Sequence, residues 1–197
     1  GLDVDHQSFD ADAFAHAIAE DEAENGRSYS LMTAADTASV LEKLNAYAKA
    51  SGNLTAEQLY VNEKVPFGYN YVDVNLDITH DHDAQGEHGS HVAGISAANR
   101  YLKKDGAYVD ALESVHVAGA APDAQLLVMK VFGAGGGAYD ADIMAGIEDS
   151  ILLGADSVNL SLGSAAAGTA RSSEDAYTKI MDSLTESGLV CVISAGN

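Results

Sequence analysis

Apolar residues along the chain repeat at two different periods, and the change from one to the other divides it into segments. Between Asp10 and Asn25, and again between Thr33 and Ser51, alanines and larger apolar residues recur every three to four positions among acidic ones. This spacing predicts two helices, stopped by Gly26 and Gly52. Leu41, Leu44, Tyr47 and Ala48 form one stripe of the second, which reads as packing against a core. From Val65 to Val72 the period drops to two, with Phe67, Tyr69 and Tyr71 alternating, and a strand is expected. The polar run Asp73–Asp83 then leads as a loop into Glu87 and His88. Val92 and Ile95, set among Ala93, Gly94, Ala97 and Ala98, have the spacing of a buried, closely packed helix. Residues 99 to 117 are polar and read as a mobile connection.

The second half alternates strand and helix. Pro122-Asp123-Ala124 marks a turn into the apolar run Leu126–Phe132, which has the length of a strand and the look of one buried on both faces. Residues 133–138 are glycine-rich, Asp140–Leu153 is amphipathic and helical, and Gly154 ends it. A strand over Ser157–Leu162, a small-residue loop through Gly168, a helix from about Ser173 to Ser187 stopped by Gly188, and a strand over Leu189–Ala195 complete the order. Such alternation predicts an α/β fold of three layers, α/β/α, with a mainly parallel sheet and right-handed crossovers. Ligands of such sheets bind at the carboxyl ends of the strands. His88, Gly163 and Asn197 would then share one rim. Sheet edges left uncovered would favour self-association, and a light-scattering mass of one chain would speak against it.

At 197 residues the chain has the size of one domain and buries roughly 70% of its unfolded surface. Acidic residues outnumber basic ones 30 to 10, and the formal charge of −20 repels nucleic acid and anionic membranes while suiting a cationic substrate or divalent cations. The single cysteine, Cys191, lies in an apolar run and reads as a small buried hydrophobe, so no disulfide forms within the chain. No apolar run approaches membrane-spanning length, and the acidic first residues are unlike the basic start of a secretion signal.

The candidate chemistry centres on Glu87-His-Gly-Ser-His-Val-Ala-Gly94. His88 falls on the first turn of its helix, beside unpaired N–H groups and the positive end of the dipole, which biases its imidazole towards the neutral form. A general base, a helix cap and a metal-bound histidine all fit that position. His88-x-x-His91 with His80 and His82 offers zinc-type donors, and the loop Asp73–Asp83 offers oxygens to calcium without the spacing of an EF-hand. Neither metal is assigned. Gly133-x-Gly135-x-x-Ala138 matches the relaxed dinucleotide fingerprint, yet the next strand ends Leu160-Ser161-Leu162-Gly163, without the carboxylate that would hold a ribose. A nucleotide-binding or other non-catalytic binding module is the rival reading.

The His88 block resembles the active-site histidine block of subtilisin-like serine proteases, His-Gly-Thr-His-Val-Ala-Gly, with Ser90 in place of threonine. Val158-Asn-Leu-Ser-Leu-Gly163 resembles that family's substrate-binding strand, and Ser194-Ala-Gly-Asn197 the strand end that carries the oxyanion-hole asparagine. Val61–Val65 and Ala124–Lys130 bring the likeness closest to cell-envelope proteases of the lactocepin and C5a-peptidase type. The resemblance implies a subtilisin-like fold over 1–197, as an incomplete part of one catalytic domain, with a helical insertion at about 10–60. It implies a secreted or cell-envelope serine endopeptidase acting on protein or peptide substrates by a Ser-His-Asp mechanism. His88 and Asn197 would be catalytic. Gly135, Gly136 and Gly137 on one side, and Ser161, Leu162, Gly163, Ser194, Ala195 and Gly196 on the other, would bind substrate, the glycines as an extended backbone edge. Family order is Asp, His, Ser. The opening Gly1-Leu-Asp-Val-Asp5 resembles the aspartate motif entered at its glycine, the Gly-Thr-Ser-Met-Ala block does not occur, and Asp3 and Asp5 read as solvated turn residues. The expectation is a section of a protease that is inactive by itself.

Overall fold

In the computed structural model, which describes residues 1–163 and 175–195, helix α1 (Ala11–Asn25) starts where Asp10 accepts the Ala13 N–H at 2.7 Å and ends at Gly26 with φ 62°. A side-chain cap at the first turn and a left-handed glycine at the last supply partners for the end groups that a helix leaves unpaired. Phe14, Ala17 and Ile18 form its buried face.

The second predicted helix is divided into α2 (Ala34–Val40), a 3₁₀ turn at Leu41–Lys43 and α3 (Asn45–Lys49). Leu44 is extended at the break, with φ −71° and ψ 139°. Beyond it the N–H groups of Asn45 and Ala46 donate to the carboxylate of Asp149 at 2.7 and 2.9 Å. A partner about a hundred residues away thus takes the donors that a continuous helix would have used. The expected stripe still meets the core, with Leu44 fully buried and Leu41 and Tyr47 packed beside it. A short helix α4 (Ala56–Leu59), capped by Thr55 and Gln58, closes this region.

Strand β1 (Phe67–Asn70) pairs in parallel with β4 (Leu127–Lys130), in the register Phe67↔Leu127 to Asn70↔Lys130. Between them in sequence lie α5 (His88–Ala97), the strands β2 (Tyr101–Lys104) and β3 (Ala107–Asp110), and α6 (Ala111–Ser114). Helix α7 (Asp140–Leu152), β5 (Ser157–Leu160), α8 (Ala176–Ser187) and β6 (Val190–Ile193) follow, with β5 and β6 again parallel.

Side-chain alternation on the β1/β4 ladder creates the layers. Phe67, Tyr69, Tyr71, Leu127 and Met129 face Leu44, Ala46 and Ala145 of α3 and α7 and their surroundings. Val128 and the adjoining Leu126 face the other side, where they meet Leu2, Ile78, Ala93 of α5 and Val65, which precedes β1. The ladder is therefore covered on both faces, as the α/β/α reading requires. Ile143 and Ile147 of α7 and Ile180 and Leu184 of α8 pack over Val158, Leu160 and Cys191 of the second ladder. Among the described residues nothing covers its opposite face, where Val190 is 61% and Val192 54% exposed.

Two expectations need correction. Residues 101–110 are not an irregular connection but an antiparallel hairpin turning at Asp105-Gly106, both with positive φ (51° and 80°). Asp-Gly between strands is a strong hairpin signal, legible in the sequence and overridden there by the polarity around it. Helix α5 is not buried as a whole either. Ala97 is its single buried residue and Ile95 is 64% exposed, because no described segment covers that side.

One buried charge makes stability depend on pH. Lys64 is fully buried, its Nζ donating to Pro122 O and Ala124 O at 2.7 Å each, 4.7 Å from the Phe14 ring centre. Burial pushes its pKa down to about 7, whereas an unfolded lysine titrates near 10.4. Between those values the unfolded chain binds a proton that the folded chain does not, so stability rises with pH. Relative to Lys64→Met, the wild-type chain is expected to gain about 1–2 kcal/mol between pH 7 and 9 in urea unfolding. Identical pH profiles for both chains would contradict this.

Candidate active site

His88 is the first residue of α5, preceded by Glu87 at φ −78° and ψ 5° without a side-chain cap. Its ring is exposed and makes no hydrogen bond or ion pair among the described residues. The helix-capping alternative therefore lacks a contact. The opening residues of the chain lie directly against this turn. A Cβ on Gly89 would stand 2.3 Å from Gly1 O, Leu2 N donates to Ile78 O at 2.7 Å, and Asp3 N donates to Ser90 Oγ at 2.8 Å. Ser90 Oγ also lies 3.1 Å from His80 Nδ1. Asp3 in turn accepts the Asp5 N–H at 3.2 Å, the work of a turn residue. Gly89→Ala is expected to push residues 1–3 off α5 and to lower stability by about 2 kcal/mol, the usual scale of overpacking. An unchanged urea midpoint would refute that close approach.

The glycine-rich stretch differs from its expected form. Gly135, Gly136 and Gly137 do not run extended but belong to a tight turn, closed by Gly136 N to Gly133 O (2.8 Å) and Gly133 N to Gly137 O (2.9 Å), with Gly136 at φ 77°. Glycine tolerates that left-handed conformation without strain. Asp73 holds the turn from below, its Oδ2 accepting the Ala134 N–H at 2.9 Å. The loop that precedes His88 holds it from the side, through Ala84 N to Ala134 O (2.9 Å) and Gln85 Nε2 to Gly136 O (3.1 Å). Among the described residues a Cβ at Gly135 or Gly137 would meet nothing within 4 Å.

At the ends of β5 and β6 the two predicted binding segments lie side by side. Ser194 N donates to Leu160 O at 3.1 Å and Ser194 Oγ to Leu162 O at 2.9 Å, while Ser161 Oγ accepts from Asn159 Nδ2 at 2.9 Å. Among the described residues nothing lies within 4 Å of a Cβ at Gly163, and Ala195 is exposed. Val131 and Ala138, flanking the glycine turn, share a cluster with Leu160 and Leu162. The carboxyl ends of β4 and β5 therefore lie on one side, and the loop before His88 is bonded to that side. Gly196 and Asn197 fall outside the described residues.

Among the described residues no group of three or more His, Cys, Asp or Glu is placed to hold an ion. The loop carboxylates have other partners: Asp73 binds Asn70 Nδ2 and Ala134 N, and Asp77 binds the Thr79 hydroxyl, which holds its pKa below the ordinary carboxylate range. Burial pushes Asp83 upward, but the Lys130 ammonium at 2.7 Å and the Gly1 nitrogen at 3.0 Å outweigh it and leave the carboxyl below its usual range. No sequence motif marks the roles of Asp73, Asp83 and Lys130. Lys130 alone carries a signal, since a lysine ending an apolar, doubly buried strand must find a partner.

Comparison with known proteins agrees with the motifs. The Subtilase family model matches residues 12–197. The chain is 43% identical over 141 residues to the PII-type proteinase of Lactococcus lactis subsp. cremoris, covering 70% of this chain and 7% of that protein. It is 36% identical over 135 residues to the minor extracellular protease Vpr of Bacillus subtilis (strain 168), covering 66% and 14%, and 36% identical over 139 residues to the C5a peptidase of Streptococcus pyogenes serotype M18 (strain MGAS8232), covering 70% and 11%. It thus spans a small part of the length of these relatives. The histidine block, the parallel ladders and the family match converge on one assignment, and the chain belongs to the subtilase family of serine peptidases.

Proposed function

We propose that these residues form the base-bearing part of a secreted or envelope-attached serine endopeptidase, and that they are inactive without further chain. In the intact enzyme a serine outside residues 1–197 attacks the scissile carbonyl while His88 takes its proton, then returns it to the leaving amine. A carboxylate on a segment preceding Gly1 orients the imidazole. Asn197 donates its side-chain amide to the developing oxyanion, an interaction worth about 10²–10³ in rate in such sites. The peptide lies between the glycine turn at 135–137 and the paired ends at Ser161–Gly163 and Ser194–Gly196. The net charge of −20 favours cationic over anionic substrates and repels nucleic acid.

The observation that carries this reading is the contact of Gly89 with Gly1. It sets the chain's opening residues, which resemble the family's aspartate motif, against the turn that bears His88. The test uses a fluorophosphonate probe and casein. The 197-residue chain neither labels nor cleaves, whereas the full-length protein does both. Labelling of the short chain, or a silent full-length protein, defeats the proposal, and the second result leaves a protease-like binding module.

A further inference from the structure

We propose that the buried Asp83–Lys130 ion pair is the positioning device for His88, fixing the turns from which α5 springs to the carboxyl end of β4. The inference rests on the reading of His88 as general base. Both side chains are 3% exposed and their charged atoms are 2.7 Å apart. Lys130 Nζ also donates to Thr79 O at 2.8 Å, so one ammonium holds both ends of the segment 79–83. The second oxygen of Asp83 lies 3.0 Å from the Gly1 nitrogen, a contact that an amide N–H at that place would make as well.

Buried ion pairs add little net stability over apolar residues of the same shape, because both charges lose their water. What they impose is geometry, since a charge shut away from solvent tolerates few arrangements. Here that geometry passes directly into the backbone. Asp83 N donates to His80 O at 2.9 Å and Gly86 N to Asp83 O at 3.0 Å, so Asp83 is the pivot of two consecutive turns. Ala84 and Gln85 between them are bonded to the glycine turn. His88 comes two residues after Gly86, and its ring has no partner among the described residues. The imidazole therefore inherits its place from the backbone that this pair pins. The same pair sets the distance between the base and the glycine turn, because Lys130 ends the strand that leads into that turn.

The test is hydrogen exchange by NMR on the 197-residue chain carrying Lys130→Met, Lys130→Arg or Asp83→Asn. In Lys130→Met the Ala84 and Gly86 amides are expected to exchange about tenfold faster or more, relative to amides of α1 and α7. The His88 ring resonances should broaden at the same time. Lys130→Arg, which keeps the charge, restores both. If Lys130→Met does not fold, Asp83→Asn, of nearly the same size, carries the same readout. Exchange at Ala84 and Gly86 that is unchanged, or that rises only in step with α1 and α7, overturns the proposal, as does failure of the arginine variant to restore it. No readout requires peptide cleavage, so failure here leaves the protease reading standing, and failure of that reading leaves the exchange result intact.

Discussion

His88→Ala in the full-length protein is expected to lower kcat for a protein substrate by about 10⁶, with KM nearly unchanged. The base acts only as the nucleophile loses its proton, so its removal costs the transition state and leaves ground-state binding alone. Oxyanion donors and substrate contacts survive and should preserve about 10³-fold acceleration over the uncatalysed reaction. If His88 instead served only to begin α5, the loss would stay within about tenfold, because replacing a capping residue costs about 1 kcal/mol. Steady-state kinetics on casein or a chromogenic peptide separates the two outcomes.

Asp149→Ala is expected to destabilise the chain by about 3–5 kcal/mol, the scale for stripping a buried charged acceptor from its donors. Asp149 is fully buried and accepts from Asn45 N, Ala46 N, Asn45 Nδ2 and Tyr71 Oη at 2.7, 2.9, 3.1 and 2.8 Å. Its loss strips the Asn45 and Ala46 N–H groups of their acceptor and frees the start of α3, while Asn45 Nδ2 keeps Glu148 Oε2 at 2.9 Å. For a chain of this size the melting temperature should fall by roughly 10 °C. A fall of less than about 2 °C would mean that the four contacts are incidental. Burial raises the pKa of Asp149 despite its four donors. Just above the ordinary carboxylate value the folded chain thus keeps a proton that the unfolded chain has released. Over that window this residue's contribution falls as pH rises. Asp83, held below the ordinary range, contributes with the opposite slope, and that contribution is lost in acid.

The elements legible in the sequence are those whose causes are local. Helix α1 has its capping aspartate one residue before it and its glycine one residue after. Helix α8 ends at Gly188 with φ 79° in the same way. The doubly buried strand β4 declared itself as an unbroken apolar run. Where the cause is distant, the reading failed. The break at Leu44 depends on Asp149, and nothing within 33–51 announces it. The glycine turn is closed by its own backbone and anchored by Asp73, Ala84 and Gln85, so composition suggested open backbone where hydrogen bonds close a loop. Helix α5 had an apolar pattern suited to burial, but pattern alone does not say which segment covers Ile95.

The candidate site divides along the same line. The histidine block and the two strand-end segments were visible because their chemistry is written in contiguous residues. Ser194 beside Leu162 follows from the parallel pairing of β5 and β6, which strand order implies. The Asp83–Lys130 pair spans 47 residues and joins a loop to a strand. Only the fold brings those charges together.

The most direct test of the central claim, that His88 is the base serving a bound peptide, is covalent labelling of the full-length protein with a peptidyl chloromethyl ketone. Such a reagent binds as substrate does and places an alkylating carbon beside the imidazole that serves the nucleophile. Peptide mapping by mass spectrometry should locate the adduct on His88, with protection by a competing peptide. An adduct on another histidine, or inhibition with His88 unmodified, would contradict the account.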